Sequence, residues 1–573
     1  MTTVPNSESV GEPAHNDLVA KLIGEAFSGF ARGEKPTTAP SVPSEIPSVS
    51  ELSDLSGSKA NSALPPVHPS AQPDAPKLSE SKNEPKKTSS GAHAPDSGDS
   101  YAFGEPRCNG DYRPKGNKQD TKTANGNPLL GLSDAESQAT PEYYFLRGGN
   151  ASGKSPASCQ SYPKNSPPIP KFDIEGVRRD FPALHQLVNG KPLIWLDNAA
   201  TTHKPQAVID ATSQFYSRDN SNIHRAAHAL AARSTELFEA GREKVRKFLG
   251  AGDAKEIVFV RGTTEAINLV AQSYGRKYIG AGDEIIVSEL EHHANIVPWK
   301  LLAEQTGAVV KVIPINDRGE LVMDEYVKLL NGKTKFVSVA HVSNSLGTIN
   351  PVEQIIALAH GFGVPVLIDG AQSTPHLPVN VSALDADFYV FSGHKIFAPT
   401  GIGALYGKAA LLEAMPPWQG GGHMIKDVRF EKTVYQNAPE KFEAGTPDIA
   451  GVVGMGAAID YLFKIGIPAI AAYEHALLEY AQHALATIPG LRPIGTATNK
   501  ASVLSFVIPG VPNENIARHL DKNGIAVRAG HHCAQPAIRH FGLESSVRPS
   551  LAFYNTRAEV DALVLALRSL KRP

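Results

Sequence analysis

Asp387-Phe388-Tyr389-Val390-Phe391-Ser392-Gly393-His394-Lys395 decides how the rest of the chain is read. Its aromatic and β-branched run has the composition of a strand buried on both faces. The run ends in Ser-Gly-His-Lys. A lysine at a strand end can be held over a crevice and form a Schiff base with a carbonyl, and the neighbouring Ser392 and His394 are suited to hold a phosphate. Upstream, a second apolar run, Val364-Pro365-Val366-Leu367-Ile368, ends in Asp369, with Gln372 one turn later. A carboxylate in that position can keep a pyridine nitrogen protonated, so that the ring accepts electrons. Lys395 alone would read as a solvated strand-end lysine. With Asp369, Gln372, Ser392 and His394 it reads as a pyridoxal phosphate site.

The second informative stretch is Arg528-Ala529-Gly530-His531-His532-Cys533-Ala534-Gln535-Pro536. The chain has 3 cysteines, Cys108, Cys159 and Cys533, too few for a disulfide framework in a chain of this length. Cys533 lies in a Gly/Pro-punctuated loop beside two histidines and Arg528. Nearby positive charge favours the thiolate, the nucleophilic form. Two other readings compete: an inert buried thiol, and a metal site built on His531, His532 and Cys533. Zinc ligands are normally spaced by two or more residues and number four, so the adjacent trio fits poorly and no metal is expected.

From Phe172 to the C-terminus the chain resembles the Suf-type (group II) cysteine desulfurases. The resemblance rests on eight motifs in family order: Leu196-Asp197-Asn198-Ala199-Ala200, Arg261-Gly262-Thr263-Thr264-Glu265, Glu291-His292-His293-Ala294-Asn295, His341-Val342-Ser343-Asn344, Asp369-Gly370-Ala371-Gln372, Ser392-Gly393-His394-Lys395, Phe442-Glu443-Ala444-Gly445-Thr446-Pro447 and Arg528-Ala529-Gly530-His531-His532-Cys533. One departure stands out. The chain reads His224-Arg225-Ala226-Ala227-His228 where the family usually has His-Arg-Gly-Ile-His, which leaves the role of His228 open.

The resemblance implies roles. Lys395 would bond pyridoxal phosphate, Asp369 would pair with the ring nitrogen, Gln372 with the phenolic oxygen, and His292 would stack on the ring. Thr263, Thr264, Ser392 and His394 would surround the phosphate, with Thr446 reaching the phosphate of a second subunit in a homodimer. Arg548 and Asn344 would hold the substrate carboxylate, the arginine as a bidentate fork, with Arg528, His224 and Arg225 around the mouth. Lys395, His292 and Cys533 would be catalytic. The implied reaction converts L-cysteine to L-alanine and leaves a persulfide on Cys533 for a small sulfur-acceptor protein. It could serve iron–sulfur assembly, tRNA thiolation or sulfur storage. Selenocysteine lyase, an aminotransferase of the same fold, and a cargo or scaffold protein with secondary activity remain alternatives.

Composition divides the chain. Of its 44 prolines, 22 fall in residues 1–170, a segment rich in Ser, Asn, Lys and Glu. Such a segment is expected to be disordered, because it cannot bury enough apolar surface to offset its ordering entropy. Two apolar islands interrupt it: a helical pattern near 17–32 and the aromatic run near 142–149. They would dock on a partner or fold back. This extension resembles the cargo-loading extensions of desulfurases packaged in family 2 encapsulin shells, which would put the enzyme in the cytoplasm, inside a protein nanocompartment. A net charge of −2 gives no basic face for nucleic acid. No apolar run reaches membrane-spanning length, and the acidic N-terminus lacks the apolar core of a leader.

After residue 170 strands and helices alternate. Strands are expected at 256–260, 284–288, 309–315, 335–341, 364–369, 388–391 and 403–406, with helices at 265–274, 326–330 and 352–360 between them. This is an α/β pattern, a mainly parallel sheet covered by helices with functional residues at strand ends; the resemblance adds fold type I of the pyridoxal phosphate enzymes. The expected divisions are a 171–465 cofactor-binding domain and a smaller α/β domain at 466–573 carrying Cys533.

Overall fold

The computed structural model describes residues 172–224 and 227–571. Cys108, Cys159, Arg225 and both apolar islands lie outside the described residues.

Seven strands form the main sheet: β1 (Ile257–Val260), β2 (Glu284–Ser288), β3 (Val309–Ile313), β4 (Thr334–Ala340), β5 (Val366–Asp369), β6 (Phe388–Ser392) and β7 (Gly403–Gly407). Their spatial order is β1-β7-β6-β5-β4-β2-β3. β7 runs antiparallel to both its neighbours, and all other neighbouring pairs are parallel. Every residue of β1, β5, β6 and β7 is buried, as expected for strands covered on both faces. That is why they are spelled as unbroken apolar runs.

Helices flank the sheet. α1 (Ala229–Leu249) and α3 (Ile449–Ile465) pack together, closely enough that a Cβ on Gly241 would sit 2.4 Å from Val452. α2 (Thr263–Val270) begins directly after β1 and gives way to a π-helical turn at Ala271–Gly275. The helix expected at 265–274 is therefore two segments, starting two residues earlier. α4 (Ile467–Ala486), α5 (Asn513–Asp521) and α6 (Arg557–Arg568) belong with a second sheet. That sheet is antiparallel: β8 (Arg492–Ile494), β9 (Ser505–Val507), β10 (Arg528–Gly530) and β11 (Ser546–Arg548), ordered β8-β9-β11-β10.

The segment 194–197 is stitched to the C-terminal part of the chain. Ile194–Trp195 pairs in parallel with Ile525–Ala526, and Asp197 bridges to Ser550. Phe181 sits among Phe397, Tyr461, Phe553 and Tyr554 with ring centroids 4.8–6.1 Å apart. One continuous apolar core thus joins residues of both sheets. Among the described residues no single helix is long and apolar enough to cross a membrane.

Two glycines make the approach of α2 to the sheet possible. Gly262, preceding α2, has φ 152°, a conformation open mainly to glycine. Gly403 on β7 lies against it: a Cβ there would sit 2.5 Å from the Phe391 carbonyl and 2.7 Å from Gly262 Cα. Gly403→Ala is expected to cost about 1–3 kcal/mol of stability through overpacking. A urea-denaturation midpoint unchanged from the parent chain would refute this.

Candidate active site

The carboxyl ends of β4, β5 and β6 lie side by side. Ala340 pairs with Asp369, and Asp369 with Val390, on the strand that runs directly into Ser392-Gly393-His394-Lys395. The cavity above these ends is lined by Thr263, Thr264, His292, Asn344, Asp369, Gln372, Ser392, His394, Lys395, Arg528, Cys533 and Arg548. Twelve separate expectations from the sequence thereby meet in one place.

Asp369 is buried, and burial raises its pKa; the Ala371 N–H, which it accepts at 2.9 Å, and the charge of Lys395 oppose the rise. Burial lowers the Lys395 pKa to about 8, against the pull of Asp369. The Lys395 amine is therefore available as a base and nucleophile near neutral pH. Behind Asp369 lies a second buried carboxyl, Glu291, whose pKa burial raises to about 7. It accepts hydrogen bonds from the Ser288 hydroxyl, from Asn295 Nδ2 at 2.6 Å and from the Ala340 N–H at 3.0 Å. It ties the end of β4 to the loop bearing His292.

His292 is held at the wall by the Ala294 N–H, which donates to its Nδ1 at 3.0 Å. Burial, then the charge of Lys395, lowers its pKa to about 3, so the ring is neutral. His394 is likewise pushed down to about 4, by burial and then by Lys395 and Lys204. A phosphate at this end would meet neutral donors and a helix N-terminus rather than a histidinium. Ser392 Oγ accepts the Thr263 N–H at 2.9 Å and donates to Thr263 Oγ1 at 2.9 Å, locking the start of α2 onto β6. Gln372 donates to the Ala199 carbonyl at 2.6 Å.

Across the cavity, Arg548 on β11 is buried and pairs in register with Arg528 on β10. Arg548 Nη1 donates to the Asn344 carbonyl at 2.9 Å, and Nη2 to Asp197 Oδ1 at 3.0 Å. The fork expected to face substrate is thus partly used by the protein, because a buried guanidinium must satisfy its own donors. Its Nε and Asn344 Oδ1 are buried without hydrogen-bond partners among the described residues. Asp197, which sequence reasoning quoted but gave no role, is the counter-charge that orients this arginine.

Cys533 stands at the rim, partly exposed. Its loop is pinned on three sides. The His293 N–H donates to the Cys533 carbonyl at 2.7 Å, Asn344 Nδ2 donates to the His532 carbonyl at 2.6 Å, and His532 Nε2 lies 2.9 Å from Ser546 Oγ. His532 and Cys533 both have φ 55°, a left-handed pair that turns His532 inward and Cys533 toward the cavity.

Relatives with this architecture are known. Residues 194–563 match the family described as aminotransferase class-V. A cysteine desulfurase of Synechococcus elongatus is 62% identical over 400 residues, which are 70% of this chain and 64% of that protein. A probable cysteine desulfurase of Vibrio cholerae is 52% identical over 396 residues, 69% of this chain and 98% of that one. The chain belongs to the aminotransferase class-V family, and these relatives are cysteine desulfurases. The solved cysteine desulfurase CsdA of Escherichia coli, in its S-sulfonic acid form, superposes with a TM-score of 0.65 at 45% identity, covering 69% of this chain and 97% of that one.

Pyridoxal phosphate is the family's cofactor, and the residues present fit it. The fit rests on a low-pKa lysine beside a buried carboxylate, a neutral ring at the wall and a helix N-terminus with hydroxyls at the far end. Three expected site residues do not line this cavity. Thr446 is exposed. His224 stacks on His423 at 4.7 Å and meets Glu239 Oε1 at 3.0 Å. Arg225 lies outside the described residues. The cavity adds Ala199, Ala200 and His532, which sequence reasoning did not assign.

Formation of the covalent bond between Lys395 and the cofactor requires the neutral amine. With its pKa at about 8, cofactor uptake by the apoenzyme is expected to quicken close to tenfold per pH unit below that value and to level off above it. Stopped-flow absorbance of reconstitution between pH 6 and 9 checks this; a pH-independent rate would contradict it.

Proposed function

We propose that this protein is a pyridoxal phosphate-dependent cysteine desulfurase that converts L-cysteine to L-alanine and carries the sulfur as a persulfide on Cys533. The observation that carries the proposal is the convergence of Cys533 with Lys395 and Asp369 on one cavity. An aminotransferase would have no use for a thiol there.

The cofactor, when bound, supplies an electron sink through which bonds at the substrate's Cα and Cβ are weakened. The chain's residues do the rest. Arg548 binds the substrate carboxylate with donors that include its unpartnered Nε, and Asn344 lines the same end of the cavity. Asp369 holds the proton on the ring nitrogen. Lys395 Nζ, with its lowered pKa, would take the Cα proton and hold it for return. His292, neutral, would pack on the ring face. Gln372 orients the phenolic oxygen, and Thr263, Thr264, Ser392 and His394 fix the phosphate. Cys533, as thiolate, attacks the substrate sulfur: the S–S bond forms as the Cβ–S bond breaks, and alanine departs. The persulfide then passes by thiol exchange to an acceptor protein.

In this reading the working unit is a homodimer, with the exposed Thr446 completing the phosphate site of a second copy and His224 and Arg225 contributing at its mouth. The enzyme is of the Suf type, supported by the short loop 528–536 and the order of its motifs. Selenocysteine remains the competing substrate.

Residues 1–170 fall outside the family match, and we propose that they load the enzyme into an encapsulin shell in the cytoplasm. A polar, proline-rich composition interrupted by two short apolar segments suits docking to a shell wall, and two segments per chain on a dimer add avidity. Fused to an unrelated soluble protein, these residues should carry it into co-expressed shells. Packaging of an enzyme lacking them would sink this part of the reading.

For the chemistry, Lys395→Ala is expected to abolish turnover and the visible absorption band of the bound cofactor. Cys533→Ser should still perturb that band on adding cysteine, yet yield no persulfide by intact mass. A persulfide on Cys108 or Cys159 in that variant would reassign the nucleophile.

A further inference from the structure

The fold assembles a set of ligands that the local sequence does not contain. His532 is turned inward onto Ser546. In its place His293, from the loop after β2, comes to the outer side of the Cys533 loop. One ligand atom each from His293, His531 and Cys533 lie within 4.8 Å of one another. The His293 and His531 rings are 5.5 Å apart and tilted by 31°. We propose that His293, His531 and Cys533 form a binding site for a zinc-class divalent cation, which caps the thiol and holds the enzyme off.

The chemistry of the set points to this class. Two imidazoles and a thiolate are donors that zinc accepts at about 2.0–2.1 Å for nitrogen and 2.3 Å for sulfur, in a tetrahedron whose fourth corner can be water. Such a tetrahedron keeps its ligands roughly 3.4–3.7 Å apart. The three atoms therefore need to draw in by about an ångström, within reach of side-chain rotation at positions that are exposed or half-buried. Magnesium and calcium are disfavoured, since no carboxylate or carbonyl joins the set.

The frame is already ordered. The backbone N–H of His293 donates to the Cys533 carbonyl at 2.7 Å and holds the loop, while His293 Nε2 and His531 Nδ1, which accept the Gln535 N–H at 3.3 Å and the Cys533 N–H at 3.0 Å, carry the lone pairs that a metal would take over. Little loop ordering is left for binding to oppose. Binding releases the Cys533 thiol proton to solvent. It places the sulfur lone pairs on the metal, so they cannot attack a substrate sulfur. Metal occupancy and persulfide formation thus exclude each other at one atom. The regulatory consequence rests on the desulfurase reading; the site itself does not.

Cobalt(II) is the probe, because thiolate-containing tetrahedral sites give intense d–d bands. The full-length holoenzyme carrying Cys108→Ser and Cys159→Ser leaves Cys533 as its one thiol. Titrated with cobalt(II), it is expected to develop these bands and lose them on adding zinc. His293→Ala and His531→Ala should each weaken binding by at least about tenfold, and Cys533→Ser should abolish the bands. Both histidines stand at the surface side of the loop, and retention of the cofactor spectrum shows that the variants are folded. Absence of tetrahedral bands, or bands that survive either histidine substitution, overturns the site. If the bands appear as expected but zinc leaves alanine release unaltered, the proposed block on the thiol is wrong. A chain that binds cobalt as expected yet releases no alanine from cysteine without metal instead refutes the desulfurase reading.

Discussion

Everything in this molecule is arranged around one electrostatic demand: a lysine and an aspartate must be held together, away from water, at the ends of neighbouring strands. Burial alone pushes Lys395 toward its neutral form and Asp369 toward its protonated form; each resists because the other is near. A surface pair would be screened and mobile. The parallel sheet solves the problem geometrically. Register fixes Asp369 between Ala340 and Val390, and the turn after β6 then brings Lys395 beside it. The glycines at 262 and 403 let α2 approach so closely that its N-terminus joins the same cavity. Glu291 extends the arrangement inward, as a carboxyl that burial keeps close to half-protonated near pH 7 and that can satisfy the loop of His292 at modest charge cost.

The legible part of the fold was the part governed by local chemistry. β1, β5, β6 and β7 are buried along their whole length, so their apolar runs could be read directly; the seven expected strands all exist, with ends shifted by a residue or two. The antiparallel direction of β7 left no mark, because a strand buried on both faces is spelled the same way in either direction. The second sheet was harder. Its strands are 3 residues each, too short for alternation to show. The break at Ala271–Gly275 was also invisible, since a π-helical turn disturbs neither composition nor period enough to register.

The site residues divide along the same line. Those at strand ends, such as Asp369 and Lys395, were found from strand chemistry. Those defined by distant partners were reached only through the resemblance, as Arg548 and Asn344 were, or given no role, as Asp197 was. Asp197 acquires its role only through Arg548, hundreds of residues later, and Arg548 in turn is oriented by the Asn344 carbonyl. Thr446 and His224 stand apart from the cavity of their own chain, as they would if a second copy completed the site. His293 was hidden in plain sight, beside the more conspicuous His292, and nothing in its sequence neighbourhood ties it to Cys533.

The Cys533 loop shows what the fold gains from strain. Two successive non-glycine residues with φ 55° cost on the order of 1–3 kcal/mol each. The backbone relaxes to an ordinary turn unless something outweighs that cost. Here the hydrogen bonds from His293 and Asn344 to the loop carbonyls, with His532 against Ser546, hold the turn from the main sheet on one side and the second sheet on the other. A left-handed pair projects successive side chains in diverging directions. His532 is thereby consumed as an anchor while Cys533 is offered to the cavity. A loop so tethered cannot carry its sulfur far from the cavity, so under the proposed desulfurase reading an acceptor thiol has to come to the rim. That is a demand on the partner's shape rather than on the enzyme's motion, and it follows from the same contacts that fix the nucleophile.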